Sequence, residues 1–503
     1  MTRMLARVPL IVALAGILSA TMYIPAFHAS ALDFHVTARA FFYAGTIFLA
    51  LTAAIGLATA RYETDNPTRS NLLALLGVFT LLPVIAAVPL GEIVRDASFL
   101  DLYVEMVAAM TTTGGSLFDP RLLPDSVHLW RAMVAWQGGL LIWIAAAAIL
   151  APLRLGGFEV SGDVGPQGDG PPGRSEVTTP QARVARAATL LVPIYFGLTL
   201  ALWMMLVGAG QPATTAVIHA MSTLSTSGIT NDTDFVEAGA GVPGEILIAL
   251  FLVFALSRRT FSPEIGRERF RLLAQDRELW VAGMIIGSVT VFLFVRHWIG
   301  AFDEDRLTDT RAALGALWGS AFTVLSFLTT TGFESTYWDD AQNWSGFTTP
   351  SVLLLGLAVF GGGVATTAGG AKLLRIYALY THGRREMAIL VHPSSVANKR
   401  RGGVRFPRGG INAAWVFFML FATSLAVATL ALALAGLGFA EALTLAVASL
   451  TTTGPLADIA IGGRAAVYVV PDAAKLVAAA VMVVGRLESL ALIALLNPDF
   501  WRD

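Results

Sequence analysis

The chain has 503 residues, 55% of them hydrophobic and only 14% charged, and 34 Lys and Arg balance 35 Asp and Glu to a net charge of −1. Soluble domains carry about 25% charged residues, so this is the composition of a membrane protein, and near-neutrality leaves no basic field for nucleic acid, which is not expected as a partner. The absence of cysteine excludes disulfides, thiolate nucleophiles and Cys-ligated metals, and the seven His (28, 35, 128, 219, 297, 382 and 392) form no HExxH pair.

A hydrocarbon core about 30 Å thick needs about 20 apolar residues per helix. Ten stretches satisfy or approach that, roughly 8–27, 38–60, 70–90, 128–152, 185–208, 244–261, 279–300, 350–380, 412–437 and 466–496. The first also fits a signal peptide, since Arg3 and Arg7 precede it and Ala29-Ser30-Ala31 follows. Its apolar run exceeds the roughly 7–15 residues usual for such a signal, so a retained helix is expected. Four shorter apolar pieces, near 99–110, 213–224, 313–328 and 439–450, each run into a Thr/Ser-Gly cluster. Irregular backbone at membrane depth is tolerated only inside protein or along a water-filled cavity, which predicts re-entrant pore helices. The Gly- and Pro-rich segment 156–180 reads as a mobile cytoplasmic loop.

Orientation follows from the basic residues between the spans. With the N-terminus inside, alternation makes 61–69, 153–187, 257–278 and 372–411 the inner segments, and these hold the Arg-rich runs at 258–271 and 384–408. The outer segments carry Asp119, Asp232, Asp234, Glu237, Asp303, Glu304, Asp305, Asp339 and Asp340. Both termini are therefore expected in the cytoplasm.

The four clusters resemble one another: Thr111-Thr112-Thr113-Gly114, Ser225-Thr226-Ser227-Gly228, Thr329-Thr330-Thr331-Gly332 and Thr451-Thr452-Thr453-Gly454. By subtraction of residue numbers the glycines lie 114, 104 and 122 residues apart. One Thr-Gly cluster is an ordinary helix end. Four, each closing a helix too short to cross and each on the same side, predict four units of helix, pore loop and helix around a central pore. A cation leaving water needs its hydration shell replaced by oxygens, and rings of backbone carbonyls supply them. Gly turns the backbone toward an axis at little cost, and small hydroxyls can satisfy backbone groups behind it. The expected fold is an all-α polytopic membrane protein with two extra N-terminal helices: a two-helix extension over 1–69, pore repeats over 70–155, 183–270, 271–400 and 401–503, and the cytoplasmic loop over 156–182.

On these residues the sequence resembles the Trk/Ktr/HKT superfamily of potassium transporters, in particular its TrkH branch. Further matches are Phe99 to Glu105, Trp130-Arg131 through Gly138-Gly139, Leu153 to Gly157, Thr179-Pro180, Gly361 to Gly370 with Lys372 and Arg375, and His392-Pro393. The closing run Pro471 to Lys475, Gly485-Arg486-Leu487-Glu488 and Phe500-Trp501-Arg502 is the most specific. The resemblance implies K⁺ uptake across a bacterial inner membrane, with K⁺ as the transported ion and no organic cofactor on this chain. It further implies a homodimer with a cytoplasmic RCK/KTN-type regulatory subunit binding NAD or ATP/ADP. Gly at all four filter positions goes with K⁺ selectivity in this family. Two departures are the second filter, Ser-Thr-Ser-Gly followed by Ile229, and Gln137 where an apolar residue is usual.

The stretch Gly361, Gly362, Gly363, Thr366, Thr367, Gly369 and Gly370 interrupts an apolar run. The residues alone allow a flexible packing joint or, less readily, a phosphate cradle; the resemblance implies an intramembrane gating loop under the filter. Arg486 and Lys475 are charges inside the last apolar stretch, where each costs about 2.5–3.5 kcal/mol or more. The resemblance implies that Arg486 faces the pore below the filter as a barrier; pairing with Glu488 is the other reading. Lys475 is placed with the barrier, or else reaches the outer interface. Asp101 and Glu105 either draw cations to the mouth or act as a cap and a buried hydrogen-bonded carboxylate. A secondary transporter of another fold predicts an inverted repeat, whereas the four units here share one orientation. A membrane enzyme predicts clustered titratable groups at membrane depth, which cannot be read in this sequence.

Overall fold

The fold is described from a computed structural model over residues 9–59, 67–151, 158, 180–231, 239–257, 273–300, 310–346, 349–391, 408–460 and 470–487. The motifs at 153–157, Thr179, His392-Pro393, Glu488 and 500–502, and the loop proper at 159–179, lie outside these residues.

Helices α1 (Leu10–Thr21), α2 (Tyr23–Ala31) and α3 (His35–Thr59) form the N-terminal pair of antiparallel layers, α1 and α2 both packing along α3. The first repeat comprises α4 (Pro67–Thr80), α5 (Leu82–Ala87), α6 (Leu90–Ile93), the short pore helix α7 (Phe99–Met110) and the long α8 (Asp125–Ala145), which ends in a π-helical turn at Ala146–Leu150. The second has α9 (Pro180–Gly208), pore helix α10 (Ala213–Ser225) and α11 (Gly241–Leu252). The third has α12 (Arg277–Gly300), pore helix α13 (Thr310–Leu328), α14 (Trp338–Ser345), α15 (Pro350–Phe360) and α16 (Leu373–Val391). The fourth has α17 (Arg408–Leu434), pore helix α18 (Phe439–Leu450), α19 (Pro455–Ala460) and α20 (Asp472–Leu487).

Among the described residues seven helices are long and apolar enough to cross a membrane, the segments Leu10–Ala31, His35–Thr59, Ser70–Ile93, Asp125–Leu150, Ala182–Gly208, Arg277–Arg296 and Gly410–Leu434. The remaining three of the ten expected stretches differ. The apolar run at 244–261 becomes the short α11 and a 3₁₀ turn at Val253–Ala255. The run at 350–380 is cut in two, because Gly361 takes φ +72° and ends α15. The last is described only as the 16 residues of α20.

Each pore helix packs against its own flanking helix and also against the outgoing helix of the preceding repeat: α8 on α10, α11 on α13, α15 on α18, and α20 back on α7. That last contact closes the circuit. The pore helices start where local chemistry dictates. Ser98 Oγ accepts from Asp101 N at 3.2 Å while Asp101 Oδ2 accepts from Ser98 N at 3.2 Å, a reciprocal cap at the start of α7. Glu441, at the equivalent point of α18, accepts from Gly438 N at 3.2 Å.

The N-terminal helices are fastened to the repeats by polar contacts. His28 Nδ1 lies 2.8 Å from Ser126 Oγ and its Nε2 3.3 Å from Thr214 Oγ1, so it joins the first and second repeats. Gln137 donates to Thr21 Oγ1 at 3.0 Å. That contact explains an amide at a position facing the helices outside the repeats.

Candidate functional site

The four pore helices end in the same hydrogen-bonded turn. The amides of Thr112, Thr226, Thr330 and Thr452 donate to the third residue back, at 2.9, 3.2, 3.1 and 3.3 Å. The amides of Thr113, Ser227, Thr331 and Thr453 donate to the fifth residue back, at 2.8, 3.0, 2.9 and 2.8 Å. The hydroxyls of Thr111, Ser225, Thr329 and Thr451 donate to the fourth carbonyl back, at 2.8, 2.8, 3.0 and 2.8 Å. A small hydroxyl residue suits the position because it adds a second donor to a carbonyl near the helix end; the amides of Thr111, Thr329 and Thr451 already donate to the same oxygens, at 2.9, 3.0 and 2.8 Å.

The turn depends on a left-handed residue, and it is Thr, not Gly, that comes first. Thr112, Thr226, Thr330 and Thr452 have φ of +55°, +54°, +58° and +54°. A β-branched residue in that region costs about 1–2 kcal/mol, so four equivalent cases mark a conformation held by its surroundings. Gly114, Gly228 and Gly332 follow with φ of +68°, +66° and +85°. Gly454 does not share the left-handed φ; Pro455 follows it and opens α19.

The turns meet in cyclic order. A Cβ on Gly114 would stand 1.6 Å from Ser227 O, one on Gly228 2.1 Å from Thr331 O, one on Gly332 2.9 Å from Pro455, and one on Gly454 2.3 Å from Gly114 O. Real atoms do not approach so closely, so any side chain at these positions displaces a neighbouring turn. The fourth and first turns are also joined directly, Gly454 N donating to Thr113 O at 2.6 Å. All twelve Thr and Ser of the clusters are at most 1% exposed. The hydroxyls of Thr112 and Thr452 are buried with no hydrogen-bond partner; at the same position Thr226 donates to Ser225 O at 2.7 Å and Thr330 accepts from Gly369 N at 2.7 Å. Oxygen-rich, enclosed and partly unsatisfied, this centre suits a dehydrated monovalent cation.

The loop 361–370 lies against these turns. Besides the Gly369–Thr330 bond, Thr367 Oγ1 donates to Leu224 O at 3.1 Å, and a Cβ on Gly369 would stand 2.1 Å from Thr451 O. Gly363 N donates to Ala255 O at 3.0 Å, Val364 N to Glu278 Oε1 at 2.9 Å, and Thr366 Oγ1 to Gly363 O at 2.8 Å. Lys372 donates to Ala368 O, and Arg375 stacks 3.6 Å from the Phe417 ring centroid. Gly361, Gly362 and Gly370 are where the loop's two ends cross: a Cβ on Gly361 or Gly362 would meet Gly369 O or the Ala368 side chain. Arg486, 4% exposed, donates to Thr367 O at 2.7 Å. A small cavity between this loop and α8 has Arg486, Gly369 and the π turn on its walls.

Lys475 is elsewhere. Its ammonium pairs with Asp101 at 2.5 Å and Asp472 at 3.2 Å, and eleven residues of helix, about 16 Å, separate it from Arg486. The barrier reading therefore rests on Arg486 alone. Asp101 is the cap of α7 and Lys475's partner, and Glu105 is 1% exposed and hydrogen-bonded, so neither is a free charge at a mouth.

Glu105, whose reading as a buried hydrogen-bonded carboxylate holds, and several residues that sequence reasoning passed over brace the segments just after the turns. Nine residues before each turn Gly stand Glu105, His219, Thr323 and Leu445. Glu105 accepts from Leu117 N at 2.8 Å, His219 Nε2 lies 2.9 Å from Thr230 Oγ1, and Thr323 Oγ1 accepts from Ser335 N at 3.2 Å. Glu245, fully buried on α11, accepts from Trp318 Nε1, Ser335 Oγ and Thr336 N, each at 2.7 Å. The equal offset from the turn Gly was the available signal.

Residues 257–499 match the family model described as TrkH, a cation transport protein. Among curated relatives, the Trk system potassium uptake protein TrkH of Salmonella typhimurium is 30% identical over 92% of this chain and 92% of its own length. The TrkH protein of Escherichia coli K12 is 29% identical over the same shares. The crystal structure of the potassium transporter TrkH from Vibrio parahaemolyticus superposes with a TM-score of 0.81, at 25% identity, over 99% of both chains.

Proposed function

Because this chain belongs to the TrkH family of potassium uptake transporters, we propose that it carries K⁺ inward along the axis where the four Thr/Ser-Gly turns meet. The observation that carries this reading is the shared turn: four separate segments, each with the same hydrogen bonds and the same left-handed Thr, closed into a ring. Carbonyls and the Thr112 and Thr452 hydroxyls replace water around the ion, and close contact between turns sets the size of the site. The membrane potential, worth about 2.3 kcal/mol per charge per 100 mV, drives entry. In this reading the 361–370 loop closes the lower end and the Arg486 charge raises the barrier there. K⁺ is preferred over Na⁺.

The protein works in a bacterial inner membrane with both termini in the cytoplasm, as a homodimer with a nucleotide-binding regulatory subunit. Its units are the 1–69 extension and four repeats bounded near 155, 183, 270 and 400. Growth rescue of a K⁺-uptake-deficient bacterium on low K⁺ tests the reading, with Gly114→Ser alongside. Rescue by the native chain and an altered K⁺/Na⁺ preference in the variant are expected. Failure to rescue despite expression and a matching regulator refutes transport, and an unaltered preference refutes the filter.

A further inference from the structure

An arginine stands beside the first turn, in a protein proposed to pass cations. Arg131 on α8 is 2% exposed, and its Nη2 donates to Gly115 O at 2.5 Å, one residue past the turn Gly. A second guanidinium nitrogen, Nη1, lies 3.4 Å from His128 Nδ1, and His128 Nε2 lies 2.9 Å from Pro120 O. A buried lone guanidinium is costly and would repel the transported ion. Glu105 cancels it: Arg131 Nε lies 2.5 Å from Glu105 Oε1. The same carboxylate accepts from Leu117 N at 2.8 Å and from Ser116 Oγ at 3.2 Å, and Ser116 Oγ in turn accepts from Phe118 N at 3.0 Å. The pair is neutral overall and binds the backbone of 115–117 from two sides.

Gly115 matters because it sits at the seam between the first and fourth turns. Its φ is +73°, and a Cβ there would stand 3.2 Å from Gly454 C. The fourth repeat has no brace of its own at the equivalent position, where Leu445 replaces the polar residue. Leu445 instead lines a cavity behind the seam, together with Glu105, Lys475 and Ser449, whose buried hydroxyl has no hydrogen-bond partner. The fourth turn is tied to the first across this seam, where Gly454 N donates to Thr113 O at 2.6 Å.

We propose that Glu105 and Arg131 are a specificity-determining pair: the carboxylate fixes the guanidinium, the guanidinium fork fixes the Gly115 carbonyl, and that carbonyl sets the spacing of the first turn against the fourth. Both are positioning residues, acting through the backbone. Lys cannot replace Arg131, because an ammonium lacks the planar fork that spans carboxylate and carbonyl at once. The proposal rests on the filter reading above and adds the residues that tune it.

The test is Rb⁺ uptake by proteoliposomes holding the full chain, with Na⁺ as competitor, for Glu105→Gln, Arg131→Lys and, as a reference, Gly114→Ser. Glu105→Gln keeps the shape and loses the charge; Arg131→Lys keeps the charge and loses the fork. Each is expected to lower the Rb⁺/Na⁺ preference about tenfold. Arg131→Lys, which keeps the pair neutral, should hold maximal Rb⁺ flux within about threefold of the native chain, whereas Glu105→Gln leaves the guanidinium uncompensated and should lower the flux as well. If Gly114→Ser shifts the preference and both pair variants keep the native one, whether or not their flux falls, the pair is merely structural and the proposal is overturned. If Gly114→Ser leaves the preference unmoved, the filter reading itself fails. Should one variant not fold, the other decides alone.

Discussion

Thr330 belongs to two structures at once, and its hydroxyl offers a single-atom perturbation. Gly369 N–H of the 361–370 loop donates to Thr330 Oγ1 at 2.7 Å, and both residues are buried. Thr330→Val replaces the acceptor by a methyl of similar size and keeps the β-branch, so the cost of the +58° φ hardly changes. The buried Gly369 N–H then has no acceptor while the loop stays docked, a penalty of about 1–3 kcal/mol. That destabilises the docked state by roughly 5- to 150-fold. Basal Rb⁺ uptake by proteoliposomes should rise by up to this factor, limited by the flux of the fully released pore. Thr330→Ser keeps the hydroxyl and should stay near the native rate. The Rb⁺/Na⁺ preference separates loop release from damage to the turn: it holds in the first case and falls in the second. A Thr330→Val flux at or below native, with preference intact, would show that this bond does not hold the loop.

Other perturbations follow the same logic. Arg486→Gln removes a charged donor 2.7 Å from Thr367 O, worth about 1.5–3 kcal/mol, and also removes a positive charge below the turns; basal Rb⁺ flux should rise tenfold or more, with Arg486→Lys intermediate. Glu245→Ala leaves the Trp318, Ser335 and Thr336 donors without their acceptor; a loss on the order of 3–5 kcal/mol should lower the melting temperature in detergent, and Glu245→Gln should lose less. Gly454→Ala puts a methyl 2.3 Å from Gly114 O without any φ penalty, so uptake should collapse while expression persists. Gly283→Ala on α12, with nothing within 4 Å of the new methyl, should leave uptake unchanged.

The short pore helices could be read to within a residue or two at most ends, because what stops them is local: an apolar run, a hydroxyl residue that back-bonds, then Gly. The break at 361–370 was legible for the same reason. The left-handed φ of Thr112 and its three equivalents was not, since Thr is a poor choice for that conformation and only its surroundings impose it. Nor, Glu105 apart, were the braces. Glu245 reaches residues 90 and 91 positions away, and Gly369 meets Thr330 across 39; no window of sequence holds both partners. The two readings of Lys475, barrier or outer interface, could not be separated for a similar reason: its partner Asp101 lies 374 residues upstream.

The four turns repeat in sequence, yet they are not fastened alike. The loop bonds to Leu224 of the second turn's helix and to Thr330 of the third turn, and presses on Thr451 of the fourth. The first turn is held by Glu105 and Arg131, and it is joined to the fourth through Gly454 N and Thr113 O. Displacing the loop therefore strips contacts from three turns but leaves the seam between fourth and first intact. A net hydrogen bond is worth about 0.5–1.5 kcal/mol, so the two bonds lost from the second and third sides amount to only a few kcal/mol. That is small enough for the loop to open and large enough to keep it docked at rest. An ion path bounded on one side by a fixed seam can open below without losing its dimensions, which is why the perturbations of the seam should change selectivity and those of the loop should change flux.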